Sequence, residues 1–149
     1  YVKILTKPDQ NYNLGYITYC KKCGSRNIEI ETVKKCDNCN SLLEIAGPLW
    51  IGKLFDKTFV KTMKDEIKEL EVDKRCESVL EKCIEEEALP PMYYTLDEIA
   101  SKAKSAPLAL DKAIKRLEDS GYNASRTSLN PTGFRTNAKI KQICDILRN

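Results

Sequence analysis

Four cysteines have the types and spacing for chemistry. They are Cys20-Lys-Lys-Cys23 and Cys36-Asp-Asn-Cys39, with twelve residues between the pairs. Two C-x-x-C hooks at this separation suit a tetrahedral Zn²⁺ site: each turns two thiolates inward, and the intervening chain can run out and back as a hairpin. Gly24 and Asn40 follow the hooks, and these are the residue types that best accept a positive φ. The chain contains no histidine, so the ligand set reads as Cys20, Cys23, Cys36 and Cys39. Four thiolates would fill the coordination shell and leave no place for water or substrate, which makes the expected zinc structural. The alternative of two disulfides suits this spacing less well, and Cys76, Cys83 and Cys144 leave an odd total. No signal peptide or long apolar run is evident, which points to a reducing, cytoplasmic setting and no membrane.

The absence of histidine also removes the side chain that titrates near neutrality. No G-x-G-x-x-G, P-loop or G-x-S-x-G occurs. Pro90-Pro91-Met92-Tyr93-Tyr94 lacks the asparagine of an Asn-Pro-Pro-Tyr motif and reads as a linker with aromatic anchors. No catalytic constellation is visible. The chain begins with Tyr and reads as a piece of something longer.

Charge is uneven along the 149 residues. Residues 1–53 carry a net +3, 54–90 a net −4 and 91–149 a net +4. A polyanion would meet the two ends and not the middle.

The elements expected to position these groups fall into three units of an α+β chain: a four-cysteine zinc ribbon with a lead-in segment (1–53), a helical connector (54–90) and a winged helix-turn-helix-like unit (91–149). Residues 1–15 read as irregular. Short strands are expected at 16–19, 28–32 and 42–45, with Gly47-Pro48 ending the ribbon. Such a module buries little apolar surface, so metal must carry much of its stability. Asp56 reads as an N-cap for a helix with the stripe Phe59, Val60, Met63, Ile67, Leu70. The phase shifts near Glu71-Val72-Asp73. A second stripe follows through Cys76, Val79, Leu80, Cys83 and Ile84, with its cysteines read as small buried hydrophobes and Glu85-Glu86-Glu87 as a solvated end.

Thr95-Leu-Asp-Glu98 reads as a capping box. Pro107 fits the first turn of the next helix, whose stripe is Leu110, Ala113, Ile114, Leu117 and whose C′ residue is Gly121. Residues 122–129, the turn Asn130-Pro-Thr-Gly133 and Phe134-Arg-Thr136 read as strand, turn, strand, or a wing. A last helix carries Ile140, Ile143, Cys144 and Leu147. On this layout Lys112, Lys115 and Arg116 flank the second helix of the pair. Arg126 and Arg135, with Ser125, Thr127 and Thr136, flank the wing turn. Guanidinium and hydroxyl groups suit phosphate, so these residues are the expected nucleic-acid contacts. The alternative is that the arginines pair with Glu118 or Asp119 and serve packing.

Two strings carry a resemblance. Gly47-Pro-Leu-Trp-Ile-Gly-Lys-Leu-Phe-Asp-Lys57, following the cysteine hooks, and Ala124-Ser-Arg-Thr-Ser-Leu-Asn-Pro-Thr-Gly-Phe-Arg-Thr-Asn-Ala138 resemble the C-terminal part of archaeal-type tRNA (guanine-26) N2-dimethyltransferases. The family pattern places His-Phe where this chain has Ser128-Leu129, and Thr-Asp-Ala-Pro where it has Thr136-Asn-Ala-Lys139. The resemblance implies an upstream Rossmann-like methyltransferase domain that binds S-adenosylmethionine and carries the catalytic carboxylate and guanine pocket. This segment would then recruit tRNA, which is read largely by shape and backbone. A transcription-type zinc ribbon and winged helix that binds DNA or a polymerase is the alternative reading.

Overall fold

A computed structural model of the chain describes residues 13–148; most of the irregular lead-in expected at 1–15 lies outside them. Residues Leu14–Tyr19 (β1), Arg26–Glu29 (β2) and Glu44–Trp50 (β3) form an antiparallel sheet in the order β2-β1-β3. Tyr19 pairs with Arg26 at one side and with Glu44 at the other, so all three strands converge on the first cysteine hook. The second strand begins earlier than its apolar alternation suggests, because pairing resumes directly after the hook. Gly47-Pro48 does not end this unit but lies inside β3. The sheet tolerates it because the ladder is interrupted there: Leu49 pairs with Gly15 and Ala46 with Ile17, so Gly47-Pro48 forms a bulge opposite Tyr16 in an edge strand. Gly47 has φ +149, and a Cβ there would sit 2.7 Å from Gly15 O, so only glycine lets the two strands approach this closely.

Two helices follow, Lys57–Glu66 (α1) and Lys74–Glu86 (α2), separated by a 3-10 turn at Ile67–Glu69. The first starts at the expected cap, Asp56, which accepts from the Phe59 amide at 2.9 Å; the second starts where the apolar phase shifts, capped by Asp73, which accepts from the Arg75 amide at 2.8 Å. Burial departs from expectation. Cys76 is exposed, whereas Cys83 is buried. Glu86, read as part of a solvated end, is 1% exposed. The last turn of α2 packs on the C-terminal unit while its first turns face away, which separates these neighbours on one stripe.

The C-terminal unit comprises Tyr94–Thr95 (β4), Leu96–Ala103 (α3), Leu110–Asp119 (α4), Ala124–Arg126 (β5), Gly133–Thr136 (β6) and Ile140–Leu147 (α5). Its sheet has the order β4-β6-β5, all antiparallel. Thr95 caps α3 as expected, accepting from the Glu98 amide at 3.4 Å, but the Glu98 carboxylate turns to Arg26 instead of closing the capping box. Pro107 precedes α4, which begins at Leu110 behind Ala109. The end of α4 is a Schellman motif: Gly121 has φ +86, and the amides of Gly121 and Tyr122 donate to Glu118 O and Leu117 O.

The core sits here. Tyr94, Ile99, Ala113, Leu117, Phe134, Ala138, Ile140, Ile143 and Leu147 form one buried cluster. Each large member contributes about 1.5–3 kcal/mol through burial. The first sheet has no comparable cluster, and its buried residues gather around Cys20, Cys36 and Thr18.

Candidate metal centre and nucleic-acid interface

The two cysteine hooks have the same backbone geometry. In the first, Gly24 N donates to Cys20 O at 2.8 Å and Cys20 N to Ser25 O at 2.9 Å. In the second, Asn40 N donates to Cys36 O at 2.8 Å and Cys36 N to Ser41 O at 2.9 Å. Gly24 and Asn40 both have positive φ, +78 and +55, which meets the expectation at each position. The hooks face one another. Cys20 Sγ lies 3.4 Å from Cys39 Sγ, Cys23 Sγ lies 3.6 Å from Cys36 Sγ, and all four sulfurs fall within 4.8 Å of one another. Tetrahedral Zn–S bonds of about 2.3 Å place sulfurs about 3.8 Å apart, so the donor set fits one such ion. A disulfide, at about 2.05 Å, is absent here: all these cysteines are free.

The surroundings differ between ligands. Hydrogen bonds from the Ser41 hydroxyl and amide hold the Cys39 thiol down at about 6. Burial pushes Cys23 up to about 11, against the pull of the Ser25 amide and Asn38. Donors aimed at sulfur favour thiolate, the form a metal needs. The cluster can hold a metal ion in a closed shell.

The first hook is also tied to the C-terminal unit. Lys102, on α3, donates from Nζ to Lys21 O at 2.7 Å and Lys22 O at 3.2 Å. Beside it, Arg26 Nη2 donates to both carboxylate oxygens of Glu98, at 2.7 and 2.6 Å, and its Nη1 donates to Tyr93 O. Its guanidinium lies over two rings, 5.0 Å from the Tyr19 centroid and 4.7 Å from that of Tyr94. Burial pushes the Tyr94 hydroxyl up to about 12, so the ring stays neutral.

The expected nucleic-acid contacts divide. Lys112 and Lys115 are exposed on α4, and Arg116 is partly buried there. Arg126 is accessible and pairs with Asp111, Nη2 to Oδ1 at 2.6 Å; the pairing partner is neither Glu118 nor Asp119. The other four lie inside. Ser125 is 7% exposed, Thr127 2%, Thr136 4% and Arg135 0%. Thr127 donates to Glu86 Oε2 at 2.7 Å, and Thr136 accepts from the Ala138 amide at 3.1 Å. Arg135 Nε lies 2.6 Å from Glu86 Oε2, with its guanidinium 6.0 Å from the Phe55 ring. None of its three guanidinium nitrogens makes a hydrogen bond among the described residues, so the contact with Glu86 is an ion pair. These four therefore organise the turn and do not present donors to a phosphate. The reason is the fit of α2 against β5, which covers the strand face that the sequence reading left open.

Glu86 is the residue that sequence reasoning missed. It accepts from Thr127 and from the Ser128 amide, at 2.7 Å each, and faces Arg135. A signal existed: Glu86 continues the α2 stripe seven residues after Val79 and three after Cys83. Arg26 and its partner Glu98 carried no comparable sequence signal.

The fold and site together define a mixed helix-and-sheet protein built around a four-cysteine cluster that can take a metal. Residues 2–148 match the family described as N2,N2-dimethylguanosine tRNA methyltransferase, and the chain belongs to that family. The tRNA (guanine(26)-N(2))-dimethyltransferase of Methanothermobacter thermautotrophicus is 34% identical over 141 residues, which cover 91% of this chain and 37% of that protein. The tRNA (guanine(26)-N(2)/guanine(27)-N(2))-dimethyltransferase of Aquifex aeolicus is 35% identical over 134 residues, covering 87% and 33%. The structure resembles Trm1 from Pyrococcus horikoshii, solved in complex with S-adenosyl-L-methionine, with a TM-score of 0.76 and 26% identity over 93% of this chain and 36% of that one. The chain thus spans about a third of the length of these relatives.

Proposed function

We propose that this chain is the C-terminal, substrate-recruiting part of an S-adenosylmethionine-dependent tRNA guanine-N2 (di)methyltransferase whose catalytic domain lies upstream. The observation that carries the reading is the family match over residues 2–148, combined with the span of about a third of each relative. The chain itself holds no histidine and no glycine-rich cofactor loop, so methyl transfer is assigned to the upstream domain of the same protein. S-adenosylmethionine belongs to that domain.

In this reading, residues 1–53 are a zinc ribbon whose Zn²⁺ is held by Cys20, Cys23, Cys36 and Cys39. Residues 54–90 are the helical connector, and 91–149 a winged-helix-like RNA-binding unit. The strand order β4-β6-β5 around α3 and α4 supports that last assignment, since the β5–β6 hairpin then takes the place of a wing. Lys112, Lys115, Arg116 and Arg126 on α4 and β5 form the surface offered to tRNA phosphates. Ser125, Thr127, Arg135 and Thr136 shape the hairpin that carries Arg126. No helix among the described residues is long and apolar enough to cross a membrane, and the cytoplasm is the proposed location, where tRNA is found.

Binding of this chain to tRNA, measured across a salt series, tests the reading. A steep fall in affinity with salt is expected, together with no methyl transfer by the chain alone. Methyl transfer by the isolated chain, or equal affinity for duplex DNA of the same length, would overturn it.

A further inference from the structure

All seven residues of β3 are exposed. It is the outer strand of its sheet, so its far edge has no partner among the described residues. Side chains alternate across a sheet. Leu14 and Trp50, directly opposite one another, therefore lie on one face and Leu49, opposite Gly15, on the other; beyond the register shift Ile45 pairs with Thr18, which places it on the face of Leu14 and Trp50. Neither face is covered: Leu14 is 48% exposed, Trp50 51%, Leu49 41% and Ile45 39%. Leu54 extends the apolar surface just past the strand, also at 39%. A long apolar edge strand bare on both faces is a liability that folded proteins cover.

We propose that β3 is the docking strand for the rest of the parent protein: the upstream domain packs on both faces of Glu44–Trp50 and covers Ile45, Leu49, Trp50, Leu14 and Leu54. The inference rests on the reading that these residues are the C-terminal part of a longer methyltransferase. Three observations choose this occupant. The first is position. Ile51 N donates to Asn13 O at 2.8 Å, so Asn13, the first described residue, sits beside the end of β3 at Trp50. A domain attached there is held at high effective concentration over the bare strand. The second is length, since relatives extend well beyond the matched region, which is 37% of the Methanothermobacter protein. The third is charge. From Glu44 to Gly52 there is no lysine or arginine, so the face has nothing to hold a phosphate backbone. Pro48 in mid-strand removes a donor from the edge, which disfavours strand addition by a second copy. The contact is accordingly side-chain packing over the two faces.

The test is oxidative footprinting of the full parent protein, read on the peptide that contains Trp50. The unfolded protein gives the rate for an open ring. Native parent is expected to oxidise Trp50 many-fold more slowly than unfolded parent, equally at high and low protein concentration and with or without tRNA. A rate close to that of a half-exposed ring would overturn the proposal. So would protection lost on dilution, which assigns the face to a second copy, or protection that needs tRNA, which assigns it to RNA. Leu49→Asp in the parent is expected to raise Trp50 oxidation while metal content stays unchanged; unchanged protection in that variant also counts against it. The two readings fail separately. A parent that protects Trp50 but neither binds nor methylates tRNA keeps the docking strand and loses the function. A parent that methylates tRNA with Trp50 open does the reverse.

Discussion

Arg135 Nε lies 2.6 Å from Glu86 Oε2, and neither side chain reaches solvent. The pair fastens the last turn of α2 to β6, and through Thr127 and the Ser128 amide it also fixes the start of the β5–β6 turn. Desolvation offsets much of the attraction within such a pair, but removing one partner strands the other as a buried charge. Arg135→Ala is therefore expected to cost about 3–5 kcal/mol of stability. Arg135→Met combined with Glu86→Leu removes both charges and is expected to cost far less than the two single changes added together. Denaturant unfolding of the two single variants and the double variant measures this, and additive losses would show that the groups do not act as a pair.

Arg126 contrasts with Arg135. Its side chain is 40% exposed and that of its partner Asp111 80%, an arrangement worth about 0–1 kcal/mol to the fold. Arg126→Ala should barely move the melting temperature. It should weaken tRNA binding by about 1.5–3 kcal/mol, the scale of a hydrogen bond to a charged group, and lower the salt slope by about one unit. Asp111→Asn releases the same guanidinium and is expected to leave tRNA affinity unchanged or raise it. Titrations at several salt concentrations, run beside thermal melts, decide. Unaltered affinity in Arg126→Ala would remove β5 from the RNA surface.

The metal should divide the molecule. Residues 14–50 lack a cluster of large buried side chains, while residues 94–147 hold the buried core. Cys36→Ser, or extraction with a strong chelator, is expected to release one Zn²⁺ per chain. Amide exchange should then accelerate across 14–50 and stay nearly unchanged at Ala113, Leu117 and Ile143. Elemental analysis and exchange mass spectrometry supply both readings. Freshly purified protein without metal would refute the zinc assignment.

Local features were legible in the sequence and long-range pairings were not. The hooks, the Asp56 and Thr95 caps, the Gly121 terminus and the strand-turn-strand around Asn130-Pro-Thr-Gly133 depend on residues a few positions apart, where spacing and backbone preference decide. Arg135 was misplaced because its neighbour is Glu86, 49 positions earlier, and nothing in the alternation of β6 says which face α2 will cover. Gly47-Pro48 reads as a stop because nothing local shows that Glu44–Trp50 will pair as an edge strand with β1, about thirty residues back. The Glu98 carboxylate was assigned to a capping box, but Arg26, separated from it by 72 positions, takes it.

That Arg26–Glu98 contact is the main polar fastening between the sheet that carries the cysteine hooks and the C-terminal unit. It combines an ion pair through Nη2, a hydrogen bond from Nη1 to Tyr93 O and two stacked rings, and both side chains are mostly buried, at 18% and 17% exposure. Lysine keeps the charge but cannot make the planar fork or stack in the same way. Arg26→Lys is thus expected to lose nearly as much as Arg26→Ala, about 1.5–3 kcal/mol, with the metal still bound because the cysteine hooks are intact. Loss of the fastening should show as faster exchange at both β2 and the first turn of α3, and as a larger radius of gyration in solution scattering. If Arg26→Lys behaves like the parent chain while Arg26→Ala does not, charge alone holds the two parts together, and the stacking between Tyr19 and Tyr94 contributes nothing.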